Sequence, residues 1–195
     1  MILGVLLATL MIICGPSKVT QDTGVLVYSL HEEEVAGTER PDTLAPYGSY
    51  GTLVIYGTPI NLTVDLIDSP EDFTFAQSIC DDPNRGVVQD YSFKYGTVTP
   101  LVADHKHQGF SVLYDLQPGT ICEMFYPDGT SQKYVLRDNF RNGVNNEADI
   151  LVNGEPAVKV HVDDKNTYEA RRWLCMYTCN PEGWWSVTVT FWEMI

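Results

Sequence analysis

Positive charge is scarce in this chain. Its 195 residues carry 12 Lys and Arg against 26 Asp and Glu, a formal net charge of -14. So acidic a surface repels phosphate backbones and anionic lipid headgroups, which excludes nucleic acid as an expected partner. Motifs of several common chemistries are missing as well. The sequence has no HExxH, no Gly-x-Ser-x-Gly, no glycine-rich phosphate cradle and no internal repeat, so the usual signatures of zinc hydrolases, serine hydrolases and nucleotide binders are absent. The five cysteines, at 14, 80, 122, 175 and 179, are odd in number and form no paired CxxC. Neither a disulfide framework nor a zinc site follows from that pattern. On a regular strand Cys175 and Cys179 project from one face about 13 Å apart, at about 3.3 Å per residue, too far to bond each other. Free thiols are therefore expected, and neither a metal nor a cofactor is. Asp81, Asp82 and Asn84 lack the spacing of a calcium loop and read as a solvated turn.

Long apolar runs are also wanting. Residues 2–13 are uncharged and apolar, but twelve residues fall short of the roughly 20 that span a bilayer. They suit the apolar core of a secretory signal, although no basic segment precedes them, and Ile13 is too large for the residue before a lipidated cysteine. Residues 1–14 thus read as a signal or membrane-anchor-like segment, implying export, with membrane attachment through the N-terminus as the alternative fate. Residues 15–50 are polar, with Glu32, Glu33 and Glu34 in a row, and read as a stalk or arm in which His31 is solvated.

What remains, residues 51–195, has the hydrophobic content for one core. Residues 52–56 and 60–66 are short strand patterns split by Gly57, Thr58 and Pro59. Residues 73–80 follow as one or two helical turns. Apolar segments at 91–95, 98–102 and 111–116 lead to a hairpin, 121–126 against 132–136, turning at Pro127, Asp128 and Gly129. Residues 139–146 read as a polar loop, 149–153 and 158–162 as strands, the second with His161 facing outward, and 163–172 as a charged loop. The chain ends in a hairpin of residues 173–179 and 184–192, broken at Asn180, Pro181 and Gly183. In its second strand Val187, Val189 and Phe191 alternate with Thr188, Thr190 and Trp192, as a half-buried strand requires. The whole reads as a mainly β chain, a closed or nearly closed eight-stranded barrel with one or two short helices.

Cys179 stands at a strand's end facing a loop, where a thiol is rigidly held and reachable, so it is a candidate nucleophile. A buried, unreactive thiol is nonetheless the commoner state of a strand cysteine. The order of motifs is more specific. Ala103-Asp-His-Lys-His-Gln-Gly-Phe-Ser-Val-Leu113 follows an early strand, a Gly119 turn comes next, and Met176-Tyr-Thr-Cys179 closes a late strand. Over residues 51–195 this order resembles the sortase family.

The resemblance implies a sortase-like barrel and a cysteine transpeptidase of the bacterial cell surface. Cys179 would attack the backbone carbonyl of a sorting motif such as Leu-Pro-x-Thr-Gly and pass the acyl group to an amine of a peptidoglycan or pilin-like acceptor. His105 would support the thiolate and protonate the leaving amine, because an ordinary thiol is mostly protonated at neutral pH. His107 competes for that role, and His105 is preferred for lying nearer the strand's end. The family carries an arginine at the start of the strand after the cysteine, and here Trp184, Trp185 and Ser186 stand there instead. Arg137, Arg171 and Arg172 are the substitutes to be weighed, and Trp184 and Trp185 either form a substrate-stacking wall or, the preferred reading, simply cap the barrel end. A catalytically inactive binding or scaffolding module is the competing reading.

Overall fold

The computed structural model describes residues 44, 47–67, 73–89, 99–146, 149–161 and 172–195. The signal-like segment, nearly all of the arm, the segment expected at 91–95, most of the charged loop and Arg171 lie outside them. Ten strands are described: β1 Gly51–Ile55, β2 Asn61–Ile67, β3 Arg85–Gln89, β4 Leu101–Ala103, β5 Ile121–Phe125, β6 Ser131–Asn145, β7 Ile150–Val152, β8 Glu155–Pro156, β9 Trp173–Asn180 and β10 Gly183–Met194. One α-helix, α1 Phe73–Cys80, and two 3-10 turns, Gly109–Tyr114 and Ala157–Lys159, complete the described elements.

The sheet runs β10-β9-β4-β3-β2-β1-β5-β6, and β10 pairs back onto β6, so eight strands close a barrel. Strands β7 and β8 extend from β6. Two contacts are parallel, β2 with β3 and β4 with β9, and the rest are antiparallel. A parallel pair needs a crossover, and α1 supplies it between β2 and β3. The turn at residues 127–129 is set by Gly129, at φ 86°, and by Asp128, whose Oδ1 accepts the Thr130 amide at 2.9 Å. Glycine occupies that left-handed conformation at little cost.

Two apolar clusters divide the strands by face. All eight barrel strands contribute to the interior, among them Leu53, Leu62, Val88, Val102, Met124, Leu136, Met176 and Trp192, which Phe110 and Leu113 plug from the first 3-10 turn. The alternate residues Leu101, Ala103, Cys175, Tyr177, Cys179, Val187, Val189 and Phe191 point outward and pack under Ala76 and Ile79 of α1 and under Ala157 and Val158. Because neighbouring side chains on a strand face opposite ways, β4, β9 and β10 each feed both clusters.

Four sequence expectations change here. Strand β10 is buried on both faces rather than half-buried: Thr188, Thr190 and Trp192 are buried too, their polar groups bonded to Asn180, Met176 and one another. The polar stretch 139–146 is not a loop but the second half of β6, hydrogen-bonded to β10 on one edge and β7 on the other. Of the expected strand 158–162, residue 162 lies outside the described residues, and residues 158–161 form no strand. They continue a 3-10 turn, with His161 stacked on Trp173 at a centroid distance of 4.1 Å and 3.1 Å from the Asp138 carboxylate. Finally, β3 is a strand that its brief Gly86-Val87-Val88 pattern did not announce.

Candidate active site

The parallel register of β4 and β9 builds the site. Leu101, Val102 and Ala103 pair with Cys175, Met176 and Tyr177, and the hydroxyl of Thr178 donates to the Asp104 carbonyl at 2.8 Å one step further on. His105 follows the end of β4 by two residues, and Cys179 follows Tyr177, the last paired residue of β9, by two. Cys179 belongs to the outward face that carries Ala103 and Tyr177. Cys179 and His105 come from distant parts of the chain, and both are buried.

The state of Cys179 corrects the expectation of free thiols. Cys80, Cys122 and Cys175 are free and buried, whereas Cys179 is disulfide-bonded. Nucleophilic chemistry therefore requires its reduced form. Burial pushes the thiols of Cys80, Cys122 and Cys175 well above the ordinary range, which makes them poor nucleophiles at neutral pH.

His105 is gripped from the side of α1. Its Nε2 lies 2.7 Å from Nε2 of Gln77 and 3.3 Å from Oδ1 of Asp81, and the Gln77 amide also donates to that same Oδ1 at 3.0 Å. His107 stacks on His105 with centroids 4.8 Å apart. Its own basicity is lowered, by burial first and then by the neighbouring imidazole. Beneath the loop lies Asp104, fully buried, whose Oδ1 accepts the His105 amide at 2.7 Å. Burial pushes its carboxyl up to about 8 against the opposing pull of the His105, Gly109 and Phe110 amides, while Oδ2 makes no full hydrogen bond.

On the other flank a circuit of contacts surrounds Cys179. The Tyr114 hydroxyl donates to the Cys179 carbonyl, the Arg141 guanidinium donates to the Tyr114 carbonyl, and the Asn180 amide donates to the Arg141 carbonyl at 2.6 Å. Lys106 Nζ donates to the Asn180 carbonyl at 3.2 Å. Tyr114, Arg141, Asn180, Glu182, Ser186 and Thr188 line an adjoining cleft of about 660 Å³. Burial and then the charge of Glu182 push the Tyr114 phenol up to about 12, so it stays a donor.

The substitute cations fall into place around this picture. Arg137 and Arg172 both reach Glu193, at 2.7 and 3.7 Å, and so are engaged away from the cleft. Arg141, which sequence reasoning passed over, lines it. No local signal marks Arg141, because β6 meets β10 only through barrel closure. Trp184 and Trp185 lie in a bulge opposite Cys179, between the pairs Gly183 with Asn180 and Val187 with Cys179. Trp184 packs on the outer cluster, while Trp185 is 54% exposed.

Neither the family models nor the curated protein sequences contain a match to this chain. Solved structures do. A sortase D5 transpeptidase from Clostridium perfringens superposes with a TM-score of 0.51 at 11% identity, covering 75% of this chain and 79% of that one. A lid mutant of sortase A from Corynebacterium diphtheriae gives 0.51 at 12% identity, covering 75% and 70%. The chain has a sortase-like fold. At such identity the likeness is one of architecture, and the chemistry is argued from the residues themselves.

Proposed function

We propose that this chain is a sortase-like cysteine transpeptidase of the bacterial cell surface. What supports the reading is the parallel pairing of β4 with β9, since His105 follows the end of β4 by two residues and Cys179 lies near the end of β9. In the reduced protein the Cys179 proton passes to His105, and the thiolate attacks the carbonyl carbon of a peptide sorting signal. The oxygen of the tetrahedral intermediate then needs a donor, and Arg141 is our candidate in place of the family's arginine. Loss of one such donor costs on the order of 3 kcal/mol. His105 returns its proton to the leaving amine as the C–N bond breaks, leaving a thioester on Cys179. An incoming amine from a peptidoglycan or pilin-like acceptor attacks that thioester and restores the thiol. The exposed indole of Trp185 offers a stacking surface for the peptide, and Trp184 anchors the bulge that presents it.

One observation favours the competing reading of an inactive sortase-fold binding module: Cys179 is buried and disulfide-bonded. Incubating the reduced protein with Leu-Pro-x-Thr-Gly-type peptides, with and without triglycine, separates the two. Transpeptidation predicts a thioacyl adduct on Cys179 that triglycine discharges to a ligated peptide, absent in Cys179→Ala. A binding module gives peptide association with no adduct.

A further inference from the structure

The Asp81-Asp82-Pro83-Asn84 turn, read from sequence as merely solvated, is where α1 meets the histidine loop. We infer that Asp81, with Gln77 beside it, is the positioning residue for His105. This rests on the thiol chemistry proposed above.

Two independent contacts tie the loop to this helix end. The Asp81 carboxylate lies 3.3 Å from Nε2 of His105, and the Asp81 carbonyl accepts the side-chain amide of Gln108 at 3.3 Å, further along the same loop. The helix end is itself fixed: the Asp81 amide donates to the Gln77 carbonyl at 2.9 Å, and the Asp82 amide to that of Ile79 at 3.1 Å. Carbonyl groups at a helix C-terminus favour a cation nearby, in the same sense as the carboxylate.

The two partners of Nε2 ask opposite things of it. An amide nitrogen only donates, so Gln77 bonds to Nε2 as an acceptor, whereas a carboxylate only accepts, so Asp81 bonds to an Nε2 that carries hydrogen. One ring nitrogen cannot satisfy both at once. With Nε2–H held by the Asp81 carboxylate, Nδ1 is the nitrogen that takes the proton released by the Cys179 thiol, and the same carboxylate stabilises the imidazolium that results. The Gln77 bond to Asp81 Oδ1 holds the pair together throughout. The ring is thereby held in one orientation in both of the forms that acid–base chemistry uses. Among the described residues, Asp104 lies beneath the His105 amide, His107 is stacked on the ring face, and Lys106 is drawn away to the Asn180 carbonyl.

The test is iodoacetamide alkylation of the full chain after reduction, with the Cys179 peptide followed by mass spectrometry at neutral pH. Asp81→Asn is expected to slow Cys179 about tenfold, the effect of losing a hydrogen bond to a charged partner, while Asp81→Glu recovers most of the rate. Because the Asp81 side chain is 66% exposed, thermal stability should hardly move. Asp81→Ala is expected to match Asp81→Asn, so the conclusion does not hang on one variant. A purely structural role would instead lower the melting temperature and expose Cys80 of the same helix along with Cys179. That result overturns the inference, as does wild-type alkylation in Asp81→Asn when His105→Ala is slow. If His105→Ala itself reacts at the wild-type rate, the thiol chemistry fails and the positioning role falls with it.

Discussion

Replacing Asp104 with asparagine should make folding stability less sensitive to pH, with a sign and size that the site dictates. The Asp104 carboxyl is fully buried and is pushed from an ordinary 3.8 to about 8, chiefly by burial. Between those two values the folded protein holds a proton that the unfolded chain has released. Stability from this group is therefore complete below the unfolded value and declines as pH rises toward the folded one. At about 1.4 kcal/mol for each pH step, the loss reaches a ceiling of about 6 kcal/mol above pH ~8, and about 4 kcal/mol at pH ~7. Asparagine keeps an oxygen for the His105 amide and never ionises. Urea unfolding of both proteins from pH ~4 to ~9 isolates the effect, since every other carboxylate cancels in the difference. The variant should be equal to or weaker than wild type at pH ~4 and more stable by up to a few kcal/mol at pH ~8. A difference that stays flat across this range would refute the buried neutral carboxyl.

Other perturbations probe the neighbouring contacts. Arg141→Ala should cut peptide transfer on the order of a hundredfold yet leave Cys179 alkylation near wild type, because alkylation develops no oxyanion; parallel loss of both would place Arg141 elsewhere in the mechanism. Thr178→Val removes the buried hydroxyl bonded to the Asp104 carbonyl and should cost about 1–3 kcal/mol in chemical denaturation. Gly143→Ala places a methyl 2.9 Å from Val187 Cγ2 and 3.0 Å from Val189 Cγ2 across the β6–β10 seam. Such overpacking costs about 1–3 kcal/mol, read as a lowered melting temperature.

Much of the barrel was legible because its strands are short, apolar and punctuated. Gly57 with Pro59, and Asp128 with Gly129, marked turns that the structure contains, and the alternation of β10 was plain. What alternation left open was which of the two faces met water. Thr188, Thr190 and Trp192 look like a solvent face in one dimension, but closure of the sheet turns them inward, where Asn180 and the Met176 carbonyl satisfy the hydroxyls. The second half of strand β6 was missed for the same reason: Arg137, Asn139 and Arg141 carry no strand propensity, and pairing on both edges makes the strand regardless. Of the candidate site, Cys179 and His105 were named from the order of motifs. The residues around them were not. Gln77 and Asp81 reach His105 only because α1 lies over the outward face of β4 and β9, and Arg141 reaches Cys179's neighbourhood only across the seam. The disulfide on Cys179 also escaped, since the spacing argument tested only its pairing with Cys175.

The central claim is that Cys179 and His105 act as one unit once the thiol is reduced. Its most direct measurement is the alkylation rate of Cys179 as a function of pH, in wild type and in His105→Ala. The account predicts that Cys179 reacts much faster than Cys80, Cys122 and Cys175 near neutrality and that His105→Ala abolishes this advantage. Four cysteines reacting at one slow rate, unaffected by the loss of His105, would contradict it.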